Sequence, residues 1–301
     1  MITLEGLIPA IVTPMTADGD VDEPALRGYV RWIADQGPVA LAVNADTGEG
    51  PHLSSDEQRR VLELVKEETD VPCVVGLNGP STRAAVQQAH DLARAGADAL
   101  LVFPIPADLS TPLDPRVPVE YHRAVADAGL PLVLFQLQPA LGGVIFEPDT
   151  MRQLAAVDGV VALKEASFDA RAFADTARLV ASLSHPLTLL TGNDNFILES
   201  FLLGAAGALI GFGTVMVREQ VAMIDAWKAG HLDDARRLGR RVQRLSDAVF
   251  AHPVGAYRAR LKECLVLLGV LEHAHVRAPL LALDDGERAE LHKVLIEVGL
   301  L

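Results

Sequence analysis

Val160-Val161-Ala162-Leu163-Lys164-Glu165 is a run of four apolar residues that leads straight into a lysine. Unbroken apolar runs of this length mark strands buried on both faces. Similar runs occupy residues 7–13, 39–44, 73–77, 99–103, 132–136, 187–191 and 208–211, and the one ending in Lys164 covers 160–164. Between them lie stretches with helical spacing, such as Leu26, Val30 and Ile33 after Pro24. Ser54 and Glu57 read as a capping box that opens a helix through Val61, Leu62 and Val65. Further helices are predicted over 81–96, 117–128, 170–181, 195–203 and 218–229, and one after Pro148-Asp149. Strand and helix in regular alternation imply a parallel sheet. Eight such units in about 230 residues favour closure into a (β/α)8 TIM barrel over an open doubly wound sheet.

Beyond residue 230 only helical patterns remain, over 232–250, 256–268 and 285–298. No Gly/Ser linker precedes them. The expected division is therefore a barrel over 1–230 and a C-terminal helical extension over 231–301, packed on the barrel or on a neighbouring subunit.

Composition narrows the function classes. The formal charge is -14, which repels nucleic-acid backbones and anionic lipid, so neither is an expected partner. No charge-free apolar stretch is long enough to span a bilayer, and the first residues lack the pattern of a signal peptide. Two cysteines, Cys73 and Cys264, form no CxxC pair and fit a reducing cytoplasm. His273 and His275 have no third ligand at metal spacing, so no metal site is expected.

Barrel active sites lie at the C-terminal ends of the strands. Lys164 belongs there. A lysine facing the barrel mouth is desolvated, which favours the neutral amine, and a neutral amine can attack a carbonyl to form a Schiff base. A structural ion pair with Glu165 or another carboxylate explains the same lysine equally well. Asp46-Thr47-Gly48-Glu49 follows the second strand, and its backbone N–H groups could hold a carboxylate; an ordinary βα turn would read the same way.

The order and spacing of several short segments resemble the dihydrodipicolinate synthase / N-acetylneuraminate lyase family of class I aldolases. These are Gly6-Leu7-Ile8-Pro9-Ala10 with Thr13-Pro14, and Thr47-Gly48-Glu49-Gly50 with Leu53-Ser54 and Glu57. Leu163-Lys164-Glu165-Ala166-Ser167, Thr191-Gly192-Asn193-Asp194 and Gly207 with Ile210-Gly211 complete the set. The resemblance implies a TIM barrel that cleaves, condenses or dehydrates 2-oxo acids through an imine on Lys164. It further implies that the backbone of Asp46 and Thr47 binds the substrate carboxylate, that Gly192 and Ile210 line the pocket, and that the chains form homotetramers or dimers.

The sequence departs from the family at four places. Phe135 stands where the family has the tyrosine that shuttles protons. Asp46 replaces a hydroxyl residue. Phe103-Pro104-Ile105-Pro106 lacks the tyrosine that reaches into a neighbouring subunit. The arginine that pairs with a second substrate carboxylate falls near Ala140. A charge-assisted contact of that kind contributes about 1.5–3 kcal/mol, so the sequence disfavours dihydrodipicolinate synthase itself. Asp46 becomes the candidate acid/base group, and Gln136 and Gln138 candidates for binding substrate hydroxyls. The expectation is a cytoplasmic class I lyase that needs no cofactor and acts on a 2-oxo acid such as pyruvate or a 2-keto-3-deoxy sugar acid. The alternatives are a dehydratase of the same imine type and a catalytically weak 2-oxo-acid-binding paralogue.

Overall fold

The computed structural model describes residues 2–109 and 112–301, apart from the side chain of Ala140. Eight parallel strands form one sheet: β1 (Leu7–Pro9), β2 (Leu41–Val43), β3 (Cys73–Leu77), β4 (Ala99–Val102), β5 (Leu132–Leu137), β6 (Val160–Ala166), β7 (Thr188–Thr191) and β8 (Gly207–Ile210). Each strand pairs with its sequence neighbour, and β8 pairs with β1. A bridge between Ala10 and Ala42 closes the barrel, supported by Val39 N–H to Leu7 O and Ile11 N–H to Ala42 O, both 3.0 Å.

Helices α1 (Glu23–Ala34), α2 (Ser55–Glu68), α3 (Thr82–Arg94), α4 (Arg116–Ala126), α5 (Pro148–Ala155), α6 (Ala170–Ala181), α7 (Ile197–Leu202) and α8 (Val217–Lys228) follow the strands in turn. The Ser54/Glu57 capping box is present at the start of α2. Side chains alternate along the strands, so two buried clusters form. Ile8, Ala42, Val74, Leu101, Val133, Phe135, Ala162, Leu190 and Leu209 fill the lumen. Leu7, Val43, Val75, Leu134, Leu163 and Ile210 face the helices. The strands are shorter than their apolar runs at β1 and β2, and β6 is longer, running two residues past Lys164.

The last helices are α9 (Leu232–Val249), α10 (Tyr257–Leu267) and α11 (Asp285–Glu297). α9 lies along α8 and α11, and α10 along α11. α10 carries buried residues at nearly every position rather than along one stripe, because it is wedged between the barrel mouth and the other two helices. Both cysteines are free and buried.

One buried ion pair ties this extension to the turn after β2. Lys262 of α10 meets Glu49, and neither side chain has any exposure. The ammonium also donates to His275 O at 2.7 Å, and the Glu49 carboxylate accepts from Arg277 N–H at 2.8 Å. Glu49 is thus a structural clamp. The turn that carries it is tight: a side chain at Gly50 would sit 1.9 Å from Asn44 O, so only glycine fits. Removing one member of a buried pair strands the other charge, which costs about 3–5 kcal/mol. Lys262→Met is therefore expected to lower the thermal midpoint sharply, and the double change Lys262→Met with Glu49→Gln to recover much of the loss. Equal losses in the single and double variants, read by circular dichroism, would contradict the clamp.

Candidate functional site

Lys164 pairs in register with Phe135 of β5 and Leu190 of β7, both luminal, and lies two residues from luminal Ala162 and Ala166. Its side chain therefore points into the barrel mouth. The residue is 8% exposed, and its Nζ stands 4.2 Å from the centroid of the Phe135 ring. Phe135 is braced edge-on by Phe103, with centroids 5.0 Å apart. Glu165 faces the opposite way, where Asn193 Nδ2 donates to its carboxylate at 2.8 Å and Ser167 N–H at 3.2 Å. Among the described residues no carboxylate lies within ion-pair distance of Lys164, which removes the structural-pair reading.

Burial disfavours the ammonium and draws the Lys164 amine down to about 8, against the opposing pull of Asp194 and Asp46. Asp194 is itself buried, which pushes its carboxyl upward despite N–H donors from Phe212 (2.8 Å) and Gly211. Helix α9 fixes its backbone: Ser246 Oγ donates to Asp194 O at 2.6 Å and Gln243 Nε2 at 3.0 Å. Gly192 lets the lysine pass, since a Cβ there would lie 2.8 Å from Lys164 Cε and from Ala166 Cβ.

These groups line a cavity of about 130 Å³ with Asp46, Thr47, Gly211, Phe250, Tyr257 and Arg258. The last three belong to the C-terminal extension or its connecting loop. Tyr257, the first residue of α10, stacks on Phe250 with centroids 4.9 Å apart. Its hydroxyl donates to Asp46 Oδ2 at 2.6 Å and has the Thr47 hydroxyl as a second partner. Burial, reinforced by the Asp46 charge, holds the phenol well above its ordinary range. Arg258 Nη2 lies 2.5 Å from Asp46 Oδ2, and its Nε donates to Asp46 O at 2.8 Å.

The structure brings Lys164, Asp46, Thr47, Phe135 and Gly192 to one cavity. It places two expected residues elsewhere, because strand parity turns them outward. Ile210 packs in the helix-facing cluster, and its neighbour Gly211 meets the cavity instead. Gln136 accepts Phe146 N–H at 3.0 Å and reaches Thr176 at 3.4 Å, so it anchors the loop after β5 rather than a ligand. The Asp46 side chain is 43% exposed and paired with Arg258. The second-carboxylate position near Ala140 lies outside the described residues in its side chain.

Tyr257, Arg258 and Asp194 were not anticipated as site residues. Asp194 sat in a quoted segment, but nothing in its spacing separates a luminal carboxylate from a helix cap. Tyr257 is 211 positions from its partner Asp46, so only the packing of α10 over the barrel mouth reveals the pair.

A family model described as the dihydrodipicolinate synthetase family matches residues 3–298. The chain belongs to that family. It is 32% identical to a 4-hydroxy-tetrahydrodipicolinate synthase from Methanothrix thermoacetophila, over 98% of this chain and 97% of the relative. It is 30% identical to an uncharacterized DapA-like lyase from Halobacterium salinarum, over 99% and 95%. The chloride-inhibited dihydrodipicolinate synthase from Acinetobacter baumannii, solved in complex with pyruvate, superposes with a TM-score of 0.88 at 26% identity, covering 99% of this chain and all of that one. Fold and lysine-bearing strand therefore sit in a family of lyases.

An amine at about 8 leaves about one lysine in ten neutral at pH 7, against about one in three thousand at the ordinary value. Reductive methylation of Lys164, followed by peptide mass spectrometry, should rise to half its plateau near pH 8. A half-point near 10.5 would show that burial does not act on this amine.

Proposed function

We propose that this chain is a Schiff-base-forming lyase of a 2-oxo acid such as pyruvate, with Lys164 as the amine that condenses with the ketone. The observation that carries the reading is a buried amine, without a carboxylate in ion-pair reach among the described residues and of lowered basicity, opening on a cavity. The neutral amine adds to C2, water leaves, and the resulting iminium draws electrons from the adjacent bond, so a C–C or C–O bond at C3 can break or form.

The carboxylate has a place to bind. In the turn after β2 the N–H groups of Gly48, Glu49 and Gly50 donate within the turn, while those of Asp46 and Thr47 have no acceptor among the described residues. Two neighbouring free N–H groups at the cavity wall suit an oxyanion. The cavity is small beside the roughly 300–1,000 Å³ of drug-sized pockets, which fits a short oxo acid. The pyruvate complex of the Acinetobacter baumannii relative adds support by similarity.

The second reactant is a finer matter. The arginine that pairs with a second carboxylate in dihydrodipicolinate synthases has no counterpart near Ala140. Arg258 places a guanidinium on the cavity wall, and curated relatives bear the synthase name. Condensation with an aldehyde acid therefore stands beside cleavage of a 2-keto-3-deoxy sugar acid, and turnover assays with each separate the two. Phe135, in the place where a hydroxyl would serve, keeps one further reading in view: a 2-oxo-acid binder with weak turnover.

Pyruvate with borohydride should add covalent mass to the peptide that contains Lys164, and Lys164→Ala should abolish the adduct. Folded wild-type protein that stays unmodified at this lysine would defeat the assignment.

A further inference from the structure

Forming an imine and then an enamine requires protons to leave nitrogen and C3 and to reach the departing oxygen. Phe135, the ring nearest the Lys164 amine, can do none of this. Gly192 and Gly211 offer no side chain either. Four side chains on the cavity wall could carry a proton: Asp194, Asp46, Tyr257 and the Thr47 hydroxyl. The Asp194 carboxylate accepts from the N–H groups of Gly211 and Phe212 and is itself buried, with no exposed side chain bonded to it among the described residues to exchange its proton with solvent. Tyr257 and Asp46 form a chain with one dry end and one wet end. The Tyr257 hydroxyl is buried at the cavity with Thr47, and the Asp46 carboxylate at 2.6 Å is 43% exposed.

We propose that Tyr257 and Asp46 form the proton relay of the site, delivered by the C-terminal helix α10. The proposal rests on the imine reading above. After the amine adds to C2, a proton on nitrogen passes to the Tyr257 oxygen as the tyrosine's own proton passes to Asp46. The same path returns it to the alkoxide and gives the carbinolamine. The exposed Asp46 carboxylate then takes a proton from solvent and passes it through Tyr257 to the hydroxyl as the C–O bond breaks and water departs, leaving the iminium. The C3 proton returns by the relay to Asp46, which releases it to solvent, and the enamine forms. One amine and one ketone become one enamine and one water, and the tyrosine stays neutral at rest in every intermediate. Arg258, bound to the Asp46 carboxylate and its backbone oxygen, holds the acceptor in line.

The test uses pyruvate as the probe. Methyl hydrogen–deuterium exchange in D₂O, followed by proton NMR, reads enamine formation, while cyanoborohydride trapping reads imine formation on Lys164. Tyr257→Phe keeps the ring stacked on Phe250 and removes only the hydroxyl. It is expected to slow exchange by about 10²- to 10⁴-fold, the usual worth of acid–base assistance, with little change in the pyruvate concentration at half-saturation. Asp46→Asn keeps the shape and should show the same pattern, which guards against a folding defect in either variant alone. Exchange at the wild-type rate in both variants overturns the relay while leaving the imine. Wild-type protein that neither exchanges nor traps pyruvate overturns the imine reading, and the relay with it.

Discussion

Taking one amine out of water is the constraint around which the rest of this molecule is arranged. Lys164 lies inside β6, not at its frayed end, so strand pairing on both sides fixes where its Cα stands. The pleat then aims the side chain into the lumen. An aromatic ring on one side and a cavity on the other leave the ammonium poorly solvated. The nearest carboxylates act on it only at a distance. A direct ion pair would have held the lysine charged and inert; Glu165 is prevented from making one because successive strand residues face opposite ways and Asn193 occupies it.

A barrel alone does not complete this site. Strands and their turns supply the lysine, the glycine beside it and the backbone of Asp46 and Thr47. The wall that faces them comes from α10 and the loop before it. Arg260 secures that loop, donating to Val249 O, Ala251 O and Pro253 O. The Glu49–Lys262 pair secures the helix itself against the turn that holds Asp46 and Thr47. Both ends of the Tyr257–Asp46 contact are therefore clamped by interactions that exclude water and tolerate little play. The extension is an integral part of the pocket, although its own sequence reads only as helices.

Much of the fold was legible because parallel strands buried on both faces leave an unmistakable apolar signature, and the helices between them carry caps and spacing of their own. Ser54 and Glu57 fix a helix start within a residue. Lys164 stood out for the same reason, as a charge ending an apolar run. Ile210 and Gln136 were misplaced by a subtler cause. Each is next to a residue that does face the cavity, and a period of two turns an error of one position into the opposite face. Strand ends read from a sequence are uncertain by more than one position, so the facing of a single residue near an end is easily inverted.

Tyr257 illustrates a different limit. Local patterns report on neighbours within a turn or a strand, and the contact that places this hydroxyl spans nearly the whole barrel in chain length. The sequence alone displays Phe135 and Asp46 as losses, a ring without a hydroxyl and a carboxylate in a hydroxyl's place. In three dimensions the two changes read as one rearrangement. A phenol arrives from another direction, and a carboxylate is the partner that a phenol at that spot would use. The carboxylate at one strand end and the unremarkable tyrosine at the start of a distant helix become a hydrogen-bonded pair only when the helix is laid across the barrel mouth.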